Sequence, residues 1–203
     1  MWSASYERFG GTCAILAGVS GFLYALAFII ISQNAPALGA LLSALFLLLL
    51  GLLSSAAQVA VYGRLREVDP AFALWALILA MVAALGSAVH GGYDLANALN
   101  PPSAALGDLP SAIDPRGLLT FGVAGLALFV ISWLIVGSGR LPRGLGYLGY
   151  LSAALLVLLY LGRLIVLSPS SPIILIPALL NGFVVNPVWY VWLGVSLLRR
   201  EIV

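Results

Sequence analysis

Long apolar runs alternate with short polar breaks along this chain, and the length of the runs decides what the breaks mean. A helix needs about 20 mostly apolar residues to cross a bilayer. Six runs meet that template, at 11–31, 38–62, 71–97, 117–137, 145–167 and 173–198. The pattern predicts an all-α polytopic membrane bundle of six transmembrane helices, forming one domain over 1–203. The breaks carry helix punctuation. Gln33-Asn34-Ala35-Pro36 ends the first run, and Asn100-Pro101-Pro102 ends the third. Asp69 is placed to cap the third helix, with Pro70 at its first position, where a missing amide donor costs nothing. Ser168-Pro169-Ser170-Ser171-Pro172 joins the last two runs. The first run exceeds the roughly 7–15 apolar residues of a signal peptide, so it reads as a retained span.

Composition agrees with the pattern. The 203 residues are 63% hydrophobic and only 8% charged, with a mean hydropathy of +1.13. A soluble domain carries about 25% charged residues, so bilayer is the natural solvent here. All nine basic residues are arginine, which excludes chemistry built on a lysine Schiff base. One histidine and one cysteine, Cys13, cannot build a His/Cys zinc site or bis-histidine haem ligation. No metal or cofactor is expected. A net charge of +2 is too small to argue for nucleic acid. There is no P-loop, no H-E-x-x-H, no G-x-S-x-G and no dinucleotide fingerprint.

Arginine placement orients the helices. Arg8, Arg64, Arg66, Arg140, Arg143, Arg199 and Arg200 all fall on one side if the helices alternate, whereas the opposite loops offer only Arg116, against Asp108 and Asp114. The positive-inside rule then puts both termini in the cytoplasm. Trp2, Tyr6, Tyr62, Trp75, Tyr147 and Tyr150 lie near the same boundary, where amphipathic rings prefer to sit. Gly18-Val19-Ser20-Gly21 resembles Gly122-Val123-Ala124-Gly125, and Leu42-Ser43-Ala44 resembles Leu151-Ser152-Ala153. An inverted three-plus-three repeat would give such offsets, and so would chance in Leu/Ala/Gly-rich sequence. Gly18, Gly21, Gly122, Gly125, Ala80, Ala83 and Ala84 are expected to let helix backbones approach closely.

Polar groups within apolar runs are costly and face the bundle or water. The stretch around which they gather is His90-Gly91-Gly92-Tyr93-Asp94-Leu95-Ala96-Asn97, which holds the only histidine. His90, Asp94 and Asn97 share one helical face. Helix rise puts them in the outer half, at a depth similar to Tyr24, Tyr160, Arg163 and Asn181. The candidate pocket is therefore His90, Tyr93, Asp94, Asn97, Tyr160, Arg163 and Asn181. His90 either hydrogen-bonds a neighbour structurally or serves as a ligand or acid/base group. Asp94 and Arg163 either each reach head-group water or pair across helices three and five. Gly91-Gly92 either permits close packing or loosens the helix towards a cavity. In the cytoplasmic half the polar groups are chiefly Gln58, Ser54 and Ser55.

Asn186-Pro187 interrupts helix six near the midplane, where proline removes a donor and clashes with the Phe183 carbonyl, so a kink is expected. Trp189, Tyr190 and Trp192 read as interface and packing groups. The loop from Ala98 to Arg116 is long, and its Leu106, Leu109 and Ile113 suit it to fold over the outer mouth.

The six-helix layout, the charged short loops and the final Pro177-to-Gly194 segment with its Trp/Tyr cluster resemble a family of uncharacterised bacterial integral-membrane proteins, defined by a domain of unknown function. That resemblance implies a bacterial inner-membrane protein and carries over no active site. The leading expectation is a non-enzymatic protein of the plasma membrane that binds or moves a lipid or small amphiphile through an outward-facing polar pocket. Alternatives are an intramembrane enzyme using His90, Asp94 and Arg163, and an accessory subunit of a larger membrane complex. Membrane lipids are the expected partners, with a homo-oligomer or a membrane complex as further options.

Overall fold

The computed structural model describes residues 4–100, 113–166, 168 and 171–199. Six helices are long and apolar enough to cross a membrane: α1 (Ala4–Asn34), α2 (Pro36–Leu65), α3 (Pro70–Leu99), α4 (Leu118–Ser138), α5 (Arg143–Ile165) and α6 (Pro172–Leu198). The remainder of the described chain is turn and short helix, without a strand.

The helix ends differ from expectation for local reasons. α1 begins at Ala4 and not near 11, because its polar first turns find partners. Glu7 accepts from Arg64 Nε at 2.7 Å and from Nη2 at 3.2 Å, tying α1 to the last turn of α2. The Thr12 hydroxyl donates to the Arg8 carbonyl at 3.0 Å, satisfying a side chain without breaking the helix. That pair also carries α2 through Gly63 and Arg64 to Leu65. The expected break at Gln33-Asn34-Ala35-Pro36 contracts to one residue, Ala35, with φ −140° and ψ 77°. Ser32 and Asn34 side chains donate back to the Phe28 and Ile30 carbonyls, which keeps the end of α1 helical. Asp69 caps α3 as its position in the sequence implies, accepting from the Ala71 and Phe72 amides at 3.1 Å each.

Each helix packs against its neighbours in sequence, and α6 closes onto α1, so the six form a ring. Alternating helices gather Arg8, Arg64, Arg66, Arg140 and Arg143 at one end, called here the arginine-rich end. The far end carries Ala35, Asn100, Asp114 and Ser168. α2 and α3 approach closely. A methyl group at Gly51 would meet the Ala84 carbonyl and the Ala88 amide at 2.6 Å, and one at Gly91 would strike the Leu48 amide and the Ala44 carbonyl. Gly91 is therefore a packing residue. Gly92 meets nothing nearer than Leu48 Cδ1 at 4.0 Å.

Large side chains fill the arginine-rich half. Val61, Leu65, Leu134, Ile135, Leu145, Leu193 and Leu197 form a contiguous core around Trp189, which is completely buried and donates from Nε1 to the Leu145 carbonyl at 3.2 Å. Alanines pack into this core as well, Ala57, Ala60, Ala73 and Ala76 among them.

Candidate ligand cavity

A cavity of about 350 Å³ occupies the middle of the ring, and all six helices contribute to its wall. Ala80, Ala83 and Ala84 of α3, Ala124 and Ala127 of α4 and Ala178 of α6 line it. The alanines of α3 thus do more than allow helix contact: each leaves space that a leucine would occupy. Tyr24, Phe28, Phe121, Leu156 and Leu159 supply apolar and aromatic surface. Polar groups sit at two levels. Arg163, Arg116 and Thr120 lie towards the far end, while Asn181, Asn186, Tyr190, Ser54 and Gln58 lie deeper.

Three of the contributing helices are locally unwound into π turns: Leu26–Ile31 in α1, Leu118–Val123 in α4 and Asn181–Val185 in α6. Each places residues on the cavity wall, namely Phe28 and Ile29, Thr120 and Phe121, and Asn181 and Gly182. A π turn inside an α-helix widens the backbone and frequently marks a functional site. The turn in α6 directly precedes Asn186-Pro187, where proline cannot donate to the Phe183 carbonyl. A π turn, Asn181–Val185, thus lies directly on the N-terminal side of the Asn186-Pro187 pair at which a kink is expected.

The seam between α1 and α6 closes and then opens. Phe22 packs edge-on to Phe183, with ring centroids 5.7 Å apart, and a methyl group on Gly182 would stand 3.0 Å from Ala25 Cβ. Beyond that level Leu26–Ile31 packs on α2, not on Pro172–Leu180. Phe28 and Leu175, from the two sides of this seam, are both exposed and both line the cavity. The cavity therefore meets the lateral surface of the bundle there.

The polar residues predicted from sequence divide between two neighbouring places. Arg163 and Asn181 are on the cavity wall. Asn181 Oδ1 accepts from the Ser152 hydroxyl at 2.8 Å. Tyr160 packs its ring against Gly122, where a methyl group would lie 3.1 Å from Cδ1. His90, Tyr93, Asp94 and Asn97 are half-buried on α3 outside the lining. His90 Nε2 lies 3.2 Å from Asp94 Oδ2, one turn along the same helix, and Nδ1 lies 4.0 Å from Asp114 Oδ2. Asp114 also accepts from Thr120, which lines the cavity, so this group abuts the cavity's far end. Asp94 and Arg163 do not pair. Arg163 instead sets its guanidinium over the Phe121 ring, 5.4 Å from the centroid. Among the described residues the side chains of Arg163 and Arg116 form no ion pair or hydrogen bond.

Asp114 is the residue whose importance the sequence conceals. It is 2% exposed, and it accepts from the Leu119 amide at 2.7 Å, the Thr120 amide at 3.1 Å and the Thr120 hydroxyl at 2.6 Å. It caps α4 across the turn Pro115–Gly117, in which Arg116 adopts φ 58° and Gly117 φ 80°. A cap normally serves amides two or three positions ahead, so the longer offset disguises it. Asp94 and Asp114 address opposite nitrogens of His90, and among the described residues no His/Cys/Asp/Glu group converges as a metal would require. Residues 101–112, with Asp108, Leu106 and Leu109 of the expected outer lid, lie outside the described residues.

No family model matches this chain, and no curated protein or solved structure matches it either. The cavity's own chemistry therefore carries the functional argument. It offers apolar surface through most of its depth and, at one end, two guanidinium groups that form no ion pair among the described residues.

Proposed function

We propose that this protein binds a small amphiphile in its central cavity, with an anionic head group at Arg163 and Arg116 and an apolar chain among the alanines. The observation that carries this reading is the pair of arginines on the cavity wall without a counter-charge among the described residues. Arg116 is exposed at the rim and Arg163 is half-buried on the wall, and a guanidinium partly enclosed by apolar surface is expensive unless something anionic accepts its donors. Asp94 and Asp114 stand close by but outside the lining, so the cavity surface itself is cationic. A volume of about 350 Å³ is at the lower end of the roughly 300–1,000 Å³ of small-molecule sites, which suits a single chain better than a whole diacyl lipid. The open seam between α1 and α6 supplies a path from the bilayer, so the amphiphile arrives sideways.

The same reading places the protein in a plasma membrane, of the bacterial inner-membrane type, as a multi-pass protein with both termini cytoplasmic. The support is the gathering of arginines at one end of the ring. The far end, with the head-group arginines, then faces outward. An enzymatic reading through His90 is weaker, because His90 addresses Asp94 and Asp114 and not the cavity.

The test is displacement of dansylamino-undecanoate from the protein in nanodiscs. Laurate is expected to displace it, dodecanol to do so poorly, and Arg163→Gln to weaken laurate about tenfold. Equal binding of laurate and dodecanol would remove the anion-binding reading.

A further inference from the structure

His90 stands between two carboxylates that come from different elements. Its Nε2 lies 3.2 Å from Asp94 Oδ2 on α3, and its Nδ1 lies 4.0 Å from Asp114 Oδ2 on the turn before α4. Nδ1 is enclosed and has no hydrogen-bond partner among the described residues. A neutral imidazole carries a single N–H, so one of its two nitrogens then turns a lone pair towards a carboxylate. An imidazolium presents an N–H to each. The elements packed on α3 leave this arrangement undisturbed. α2 has no titratable residue from Pro36 to Val61, and α4 with its leading turn brings only Asp114 and Arg116. The other charged group of this layer among the described residues is Arg163 on α5, and its phenols are Tyr24, Tyr93 and Tyr160. Histidine is the side chain whose ordinary charge change falls between pH 5 and 8.

Asp114 ties this cluster to the cavity. The oxygen that faces His90 also accepts from the Thr120 hydroxyl at 2.6 Å, and Thr120 is on the cavity wall, as are Arg116 and Arg163. Two guanidinium groups and two carboxylates cancel in formal charge, so the proton on His90 decides whether this end of the molecule is neutral or positive. We infer that the protein takes up a proton together with its anionic amphiphile, and that His90 holds that proton between Asp94 and Asp114. The proton enters at Nε2, because Nδ1 is enclosed whereas the Asp94 side chain beside Nε2 is 36% exposed. A positive charge so placed strengthens the binding of an anion where water is scarce. By linkage the bound anion strengthens the hold on the proton by the same factor. Affinity for the anion is therefore highest with His90 protonated and falls as pH rises. This deepens the cavity reading above and rests on it, since the head group must bind as an anion.

The experiment is titration calorimetry of the full chain in phosphatidylcholine nanodiscs with dodecanesulfonate, whose head stays ionised throughout, against protein-free discs. Wild-type affinity is expected to fall about tenfold between about pH 5.5 and about pH 8. His90→Gln and His90→Asn stay polar but gain no proton, and each is expected to bind equally at both ends of that range. At the midpoint of the fall, adding the sulfonate to wild type in weak buffer is expected to draw protons from solution, read with an indicator dye, and this measurement needs no variant. Equal wild-type affinities across the range overturn the inference and leave the amphiphile reading intact, because the sulfonate still binds. Binding without proton uptake does the same. So does a fall with pH that survives in both His90 variants, which would put the proton elsewhere. Absence of binding at every pH overturns the inference and the anion-binding reading together.

Discussion

His90 Nδ1 stops 4.0 Å from Asp114 Oδ2, so the only histidine in the chain faces the carboxylate that holds the first turn of α4. Asp114 thereby stands against α3 at the far end while it fixes the turn that presents Arg116 and Phe121 to the cavity. Its side chain is fully enclosed and engaged with three donors. Asp114→Ala is expected to destabilise the protein by about 3 kcal/mol, combining a lost cap with lost charge-assisted bonds, and Asp114→Asn by less. Thermal unfolding in detergent measures this. An unchanged midpoint for the alanine variant would show that the cap does not hold α4.

Arg116 is the one described non-glycine residue with positive φ, at 58°. Left-handed backbone costs a side-chain-bearing residue roughly 1–2 kcal/mol. The chain carries that strain where the guanidinium reaches the cavity. Arg116→Gly is expected to raise stability by about 1 kcal/mol while weakening laurate binding. Weaker folding in this variant would mean that the Arg116 side chain is structural.

Gly91 and Gly92 adjoin in sequence but not in role. Gly91→Val forces the α2 and α3 backbones apart, and about 3 kcal/mol of destabilisation is expected. Gly92→Ala has room and gains up to about 1 kcal/mol from helix propensity. Unfolding midpoints that moved together would contradict the close contact of α3 with Leu48 and Ala44.

The lateral seam is open to direct test. With Cys13 replaced by Ser, cysteines at Phe28 and Leu175 are placed to be joined by a bifunctional thiol reagent. Linking them is expected to slow both uptake and release of dansylamino-undecanoate. Unaltered exchange in the linked protein would direct the path elsewhere.

Orientation is checked in the same cysteine-free background. A cysteine at Ser168 is expected to react with an impermeant maleimide in intact cells, and one at Ser138 only after lysis. The opposite result would invert the bundle and place the cavity arginines on the cytoplasmic side.

Run length and punctuation were enough to determine six helices long and apolar enough to cross a membrane and the Asp69 cap, because each is a local consequence of residue type within a few turns. The residues at the far end were legible as a polar layer for the same reason: hydropathy and helix rise report depth. Which of them share a surface was not, since that depends on how each helix is rotated in the ring and on what fills the space between. Arg163 found the Phe121 ring and left Asp94 to His90, a choice between partners from different helices that spacing along one chain cannot encode. The cavity itself is a property of alanines set opposite one another by six packed helices, and in the sequence those alanines are indistinguishable from alanines at a contact. Asp114 escaped notice because a left-handed turn carries its carboxylate over to amides five and six positions ahead. Gln58 was visible as a polar residue in an apolar run, and only the tertiary structure decided that it would be buried beside Tyr190 on the cavity wall.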